Sequence, residues 1–564
     1  MAGPRSANPE TTPSADDRHD NLRGDLVAGL TVGVMLVPQA MAYAMLAGLP
    51  PVAGLYASTL PLLAFAVFGS SRQLAVGPVA MISLMVYSAC APLAQPGGAE
   101  FVRLAALLAL LVGITQVALG VFRMGFLVNF VSHSVLSGFT SAAAIIIALS
   151  QFKHLLGLRL NTGHSTFSTL FELVTRVGET NLYTLGLGTC TIAILVVFKR
   201  KWPHFPVSLL VVALSTLLVY WFELTGYGVQ TVGLVPRGLP GLALPSLDIH
   251  HWLRLWPAAL PIVFVGYMES IAVAKWIAAR EGYEIKPNRE FVGLGAANLA
   301  AGLLAGYPVT GGFSRTAVNY QAGAKTRLAS IVTAVCVIIT LLMLTPLFYH
   351  LPIAVLSAII IVAVAGLVDI SEARRLFRVK PADGIVLVAT FFATLGGHLH
   401  IGILVGVILS LGLFIWRSAH PHIAELGYCK DIDAFRNIDR FPAATHFPGV
   451  LMFRVDASLY FANMGFVEHW LRERLATHQS IRCILVDLSA VNDIDAVAIA
   501  ALERLIDDYA DSGVRFAFAA MKGPVRDCVV RAGWDEKQTE QRFYPSLMQA
   551  LHALGFARGH IPNT

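Results

Sequence analysis

Apolar runs of roughly 15 to 22 residues, separated by short polar or Gly/Pro-rich stretches, fill the chain from Leu26 to about Trp416, the spacing of membrane-crossing helices. About fourteen spans are predicted by this pattern. They begin near Leu26, Val52, Gly77, Phe101, Phe126, Tyr183, Val207, Leu255, Phe291, Gly312, Leu328, Pro352, Gly384 and Ile401. Two of them are too short to cross. The third opens with Gly77-Pro78, and the tenth opens with Thr310-Gly311-Gly312 and meets polar Asn319 about two turns later. Each is third in its half of the run. Short, Gly/Pro-interrupted segments at matching places point to a transporter of inverted repeats, whose half-helices meet near the membrane midplane. Kinks at Gly and Pro explain either segment alone, but not the match. The stretch Gly226 to Trp252, polar and rich in Pro and Gly, reads as a linker between the halves.

Beyond Arg417 the pattern becomes that of an α/β domain. Strands are predicted over Val450–Val455, Ile481–Asp487 and Arg515–Ala519, with helices starting at Phe466 and over Val497–Tyr509, Pro524–Ala532 and Pro545–Leu554. The reading divides the chain into a polar N-terminal tail (1–24), a membrane domain (25–420) and a C-terminal domain (421–564).

Composition sharpens this. The 564 residues are 56% hydrophobic and only 13% charged, about half the charged share of a soluble domain. The formal charge of +6 comes from 41 basic and 35 acidic residues. The basic residues are scattered between apolar runs, which fits positive-inside topology and not a nucleic-acid surface. The loop Arg374-Arg375-Leu376-Phe377-Arg378-Val379-Lys380 places both termini in the cytoplasm, with the protein multi-pass in the inner (plasma) membrane and in contact with lipid. The first 24 residues lack an apolar core and do not read as a signal peptide. Six scattered cysteines show no metal-ligand or redox spacing, and the histidines, His398 and His400 among them, lack companions at helical spacing. No phosphate-binding loop or nucleophile elbow occurs, so the chain does not read as an enzyme.

Two charges stand inside the apolar pattern. Arg315 lies in Gly312-Phe313-Ser314-Arg315-Thr316-Ala317-Val318-Asn319, where a charge near the bilayer centre costs roughly 2.5–3.5 kcal/mol. Either it receives an anion or it pairs permanently with a carboxylate. Glu269 sits deep in the span that begins near Leu255. It is a candidate proton-coupling group: ionised, it would offset Arg315, and protonated, it would leave the arginine free for an anion. A structural carboxylate is the alternative. Gln39 and Tyr43, four residues apart, share one helix face beside Pro38, suited to hydrogen bonding an oxyanion or to holding helices together.

Several stretches together carry a family resemblance: Val37-Pro38-Gln39-Ala40-Met41-Ala42-Tyr43-Ala44, then Ser71-Arg72-Gln73-Leu74-Ala75-Val76-Gly77-Pro78-Val79-Ala80, and the tenth-span motif above. The chain resembles the sulfate permease (SulP) family of anion transporters over nearly its whole length. Ala457-Ser458-Leu459-Tyr460-Phe461-Ala462-Asn463 and Val486–Asp495 resemble a STAS domain. The resemblance implies an α-helical membrane protein of two inverted repeats of seven spans, with core and gate bundles and a C-terminal cytosolic α/β STAS domain, assembled as a homodimer. It also implies substrate roles for Gln39, Tyr43, Phe313, Ser314 and Arg315, with Val79 and Ala80 offering main-chain N–H groups. One departure is visible. Soluble STAS relatives carry serines after the last aspartate, whereas Ala496 and Val497 stand here, which argues against a phosphoswitch and for a role in assembly, trafficking or coupling.

The function expected is secondary active anion transport, namely proton-coupled uptake of sulfate or a related small oxyanion by alternating access. Alternatives of the same fold are sodium-coupled bicarbonate transport, proton-coupled dicarboxylate transport, or an uncoupled anion exchanger or channel. A membrane-anchored signalling protein is a further class, disfavoured by Ala496. No cofactor is expected apart from the coupling ion, a proton or sodium.

Overall fold

The computed structural model describes residues 15–126, 132–158, 166–202, 207–242, 248–396, 399–477, 480–534 and 542–556. Residues 1–14 of the expected tail and His398 lie outside the described residues. The chain separates into two compact units, Met1–Ser410 and Leu411–Thr564.

The first unit contains α1 (Ala15–Leu46), α2 (Pro51–Tyr56), α3 (Leu60–Phe68), β1 (Val76–Gly77), α4 (Ala80–Cys90), α5 (Ala99–Val121), α6 (His133–Leu156), α7 (Thr166–Thr175), α8 (Leu182–Lys201) and α9 (Val207–Trp221). It continues with α10 (Ile249–Glu281), α11 (Pro287–Leu303), β2 (Thr310–Gly311), α12 (Phe313–Gln321), α13 (Leu328–Ile339), α14 (Ile353–Ala365), α15 (Ile370–Val379) and α16 (Pro381–Gly396), while the boundary between the units falls within α17 (Leu399–Ala419). Among the described residues, 8 helical stretches are long and apolar enough to cross a membrane.

A helix stands at each place where the apolar pattern put one, with α2 and α3 sharing the second run. The fifth starts at His133 and not near Phe126, because Ser132 caps it: its hydroxyl accepts from the Val135 N–H at 3.4 Å. Apolar content alone does not locate such a boundary. The linker also proves more than a tether. Val232 N donates to Leu351 O (2.9 Å), Gly233 N to Tyr349 O (3.1 Å), and Ile353 N to Gln230 O (3.0 Å), so this strap is hydrogen-bonded to the chain leading into α14.

Close helix contact rests on small residues. A Cβ on Gly113 of α5 would lie 2.7 Å from Leu299 N, and one on Gly295 of α11 would lie 2.8 Å from Val117 N, so α5 and α11 approach backbone to backbone. Membrane helices, lacking a hydrophobic drive toward each other, gain their packing contacts this way.

The third and tenth predicted spans, α4 and α12, are short as expected, 11 and 9 residues long. Their lead-in strands pair antiparallel, Val76 with Gly311 and Gly77 with Thr310. Backbone that would be unsatisfied in the apolar interior is thereby paired, and α4 and α12 start from opposite ends of one small ribbon.

The second unit is a six-stranded sheet of order β4-β3-β5-β6-β7-β8, built from β3 (Ile423–Cys429), β4 (Ala434–Asn437), β5 (Val450–Val455), β6 (Cys483–Asp487), β7 (Arg515–Ala519) and β8 (Phe543–Tyr544). Strands β5 to β8 run parallel, joined by α18 (Met464–Thr477), α19 (Ala496–Ala510) and α20 (Gly523–Arg531), with α21 (Leu547–Ala553) closing the chain. Phe453, Val486, Phe518 and Trp534 pack on one face and Leu485, Ala517 and Leu551 on the other. Covered on both faces, β6 is buried throughout, as central parallel strands are. The antiparallel strands β3 and β4 and the edge strand β8 were not among the predicted strands. β4 and β8 are only four and two residues long, and β3 is interrupted by Glu425 and Gly427.

Candidate functional site

Polar side chains fix the β1–β2 ribbon from three sides. Thr316 of α12 accepts from Ala75 N (3.1 Å) while donating to Gly312 O (2.7 Å), and Asn319 donates to Gln73 O (2.8 Å). From α10, Ser270 Oγ accepts from Gly311 N (2.8 Å), and Thr310 Oγ1 donates to Gly266 O (2.5 Å). From α11, Asn298 accepts from Val309 N (2.8 Å) and donates to Val309 O (3.0 Å). All these groups are buried, where an unmade hydrogen bond costs about 1–3 kcal/mol, so the ribbon is held rigidly.

Against this ribbon lies a cavity of about 510 Å³. Gln39 and Tyr43 of α1, Glu269 of α10, Val79 and Ala80 at the start of α4, and Phe313, Ser314 and Arg315 at the start of α12 all line it. The structure therefore brings together every residue singled out in the sequence. The lining from α8, α9 and α14 is mostly apolar and was not anticipated: Leu195 of α8, Val207 of α9 beside Ser208, and Ile359, Val362 and Leu367 in and after α14. Nothing in their own segments distinguishes these from lipid-facing residues.

Arg315 is the centre of the charge distribution. It is 2% exposed, and its Nη1 donates to Pro78 O at 2.5 Å. Nε and Nη2 are buried without partners, as is Oε2 of Glu269, and no ion pair joins the two residues among the described residues. Permanent pairing with a carboxylate is thus not what holds the arginine. Glycine makes its room: a Cβ on Gly77 or Gly312 would lie 3.3 Å or 3.0 Å from Nη2. Neither helix start is capped by a side chain at Val79 or Gly312. Two N-terminal partial charges and a guanidinium therefore converge on one cavity, an arrangement that attracts anions.

Two buried carboxylates outside the cavity escaped the sequence reading. Glu290 at the start of α11, 1% exposed, accepts at Oε1 from Ser70 N (2.7 Å), Ser70 Oγ (2.6 Å) and Ser71 N (2.5 Å), anchoring the loop that leads to β1. Asp25 of α1, also 1% exposed, accepts from Lys325 N (2.7 Å), Thr326 N (2.9 Å) and the Thr326 hydroxyl, tying α1 to the entry of α13. Each stands at the end of an apolar run, where it looks like an interfacial charge.

Comparison with known proteins agrees with this picture. The model of the sulfate permease family matches residues 22–390, and that of the STAS domain matches residues 441–550. The chain is 38% identical over 545 residues to the chloroplastic sulfate transporter 4.1 of Arabidopsis thaliana, covering 93% of this chain and 79% of that protein. It is 35% identical over 536 residues to a probable sulfate transporter of Mycobacterium tuberculosis, covering 94% and 95%. Its fold superposes on the structure of the murine Solute Carrier 26 family member A9 anion transporter in the inward-facing state with a TM-score of 0.88 at 27% identity, covering 95% and 92% of the two chains. Matched through its membrane helices and carrying the second domain at its C-terminal end, the chain belongs to the sulfate permease family.

Proposed function

We propose that this anion transporter takes up sulfate together with protons by alternating access. The reading rests on Arg315, which lines the cavity with Nε and Nη2 unpartnered beside two uncapped helix N-termini. Each N-terminus contributes about +0.5, so with the guanidinium the site approaches about +2, which suits a divalent oxyanion. The sulfate transporters among the relatives support that cargo. In this reading Gln39, Tyr43 and Ser314 add hydrogen bonds, Val79 and Ala80 add main-chain N–H groups, and Phe313 closes the apolar side.

Glu269 supplies the coupling. Ionised, it offsets the charge of Arg315; protonated, it leaves that charge to the anion. Proton and sulfate then each favour the binding of the other, since such linkage is reciprocal. Movement of α4, α10 and α12 against α8, α9 and α14 would open the cavity to each side in turn. The protein would work as a homodimer in the inner (plasma) membrane with both termini cytoplasmic, its STAS domain serving assembly, trafficking or coupling.

Uptake of labelled sulfate into proteoliposomes tests the proposal. An inward proton gradient should accelerate uptake and a sodium gradient should not. Bicarbonate or dicarboxylate uptake that sulfate does not inhibit would overturn the cargo, and gradient-independent exchange would overturn the coupling.

A further inference from the structure

A second cavity, of about 570 Å³, shares no lining residue with the first and lies where the end of α5 meets α10 and the starts of α6 and α11. Arg123, His133 and Lys275 line it, with Tyr267, Ile271 and Pro287 beneath. Its floor is tightly built, since Gly125 N donates to Asn288 Oδ1 at 2.9 Å and Tyr267 OH donates to Pro287 O at 2.9 Å. Its cations are not neutralised from within. No side-chain hydrogen bond or ion pair occupies Arg123 or Lys275 among the described residues, and Glu372, 3.6 Å from His133 of the lining, is shared with Arg375.

Arg123 occupies an unusual backbone position. It follows the C-cap of α5 with φ 57, in the left-handed region that usually falls to glycine. The side chain, not backbone ease, accounts for an arginine there.

The surroundings say where its ligand comes from. Val121 and Phe122, just before Arg123, are 64% and 74% exposed. Through Glu372 the rim touches α15, which carries exposed Arg374 and Arg378 and exposed Ile370 and Val379. Exposed apolar side chains alternating with unpaired cations are the composition of a surface lying at lipid-headgroup depth. A cavity lined for a water-soluble anion would have no use for that apolar flank.

We propose that this cavity seats the phosphate of an anionic phospholipid between Arg123 and Lys275, with the acyl chains running over Val121 and Phe122. Arginine and lysine serve there as phosphate donors, the guanidinium as a fork and the ammonium as a point charge.

Native mass spectrometry of the purified full chain, titrated with phosphatidylglycerol and with phosphatidylcholine, tests this. The wild type should retain phosphatidylglycerol at about tenfold lower concentration than phosphatidylcholine, and R123Q/K275Q should erase that preference. The charge-keeping variant R123K/K275R should retain it, as should R103Q/R237Q, which removes two cations elsewhere. Equal retention of both lipids by the wild type, or an undiminished preference in R123Q/K275Q, overturns the proposal. Should R123Q/K275Q fail to fold, the wild-type preference and its retention in R123K/K275R decide. Displacement of phosphatidylglycerol by millimolar inorganic phosphate would assign the cavity to a soluble anion and overturn the lipid reading.

Discussion

Arg315 of α12 donates to the carbonyl of Pro78 at the entry of α4, across 2.5 Å. This bond adds to those that Thr316 and Asn319 make across the two half-helix entries, and the same guanidinium keeps Nε and Nη2 for something else. A flat, five-donor fork does both at once, which an ammonium on a flexible stem does not.

Arg315→Lys is therefore expected to lose most transport although it keeps the charge. Giving up a charge-assisted hydrogen bond worth about 1.5–3 kcal/mol should raise the KM for sulfate by roughly 10- to 150-fold. Proteoliposome uptake measures it, and near-wild-type KM would show that charge alone suffices.

Glu269→Gln removes the titrating group and leaves a hydrogen-bonding amide of similar shape. Sulfate should still bind and exchange across the membrane, while accumulation driven by a pH difference disappears. Concentrative uptake by this variant, measured under an imposed proton gradient, would rule out Glu269 as the coupling acid.

Glu290→Ala leaves three donors on Ser70 and Ser71 without their acceptor. Stability should fall by roughly 3 kcal/mol, since each buried unmet donor costs about 1 kcal/mol or more. Thermal unfolding in detergent reads this as a lower Tm, and Glu290→Gln, which keeps one acceptor oxygen, should lose less.

Gly54→Ala should part α2 from α1, because a Cβ there would fall on the main-chain carbonyl of Ala40. Backbone cannot rotate aside as a side chain does, so a loss of about 1–3 kcal/mol is expected. Size-exclusion profiles and Tm of the purified variant check it.

In the STAS domain, burial pushes the Asp456 carboxyl up, but hydrogen bonds from Arg454 (2.5 Å) and His422 (2.9 Å) outweigh it and hold it below its ordinary 3.8. A depressed folded-state value means that the ionised form is favoured by folding. This contribution is complete above the ordinary value and is lost as pH falls from there through the folded one. Asp456→Asn should flatten the acid limb of the domain's unfolding curve, followed calorimetrically in the full chain. An unchanged limb would locate acid sensitivity elsewhere.

The apolar pattern alone determined where the membrane helices lie, that the third and tenth are short, and which buried charges call for explanation. Those features are local: a helix must hide its own backbone from lipid, and a charge such as Arg315 or Glu269 stands out within its own span. Strand β6 was legible for a like reason, being apolar from Cys483 to Val486. Only the tertiary structure decided what these parts meet. Asp25 and Lys325 are 300 residues apart, and Ser70 and Glu290 are 220 apart. The apolar wall of Leu195, Val207 and Ile359 becomes part of a cavity only when α8, α9 and α14 fold against the half-helices. Periodicity reports which face of a helix is buried, but partners are set by packing across the whole chain.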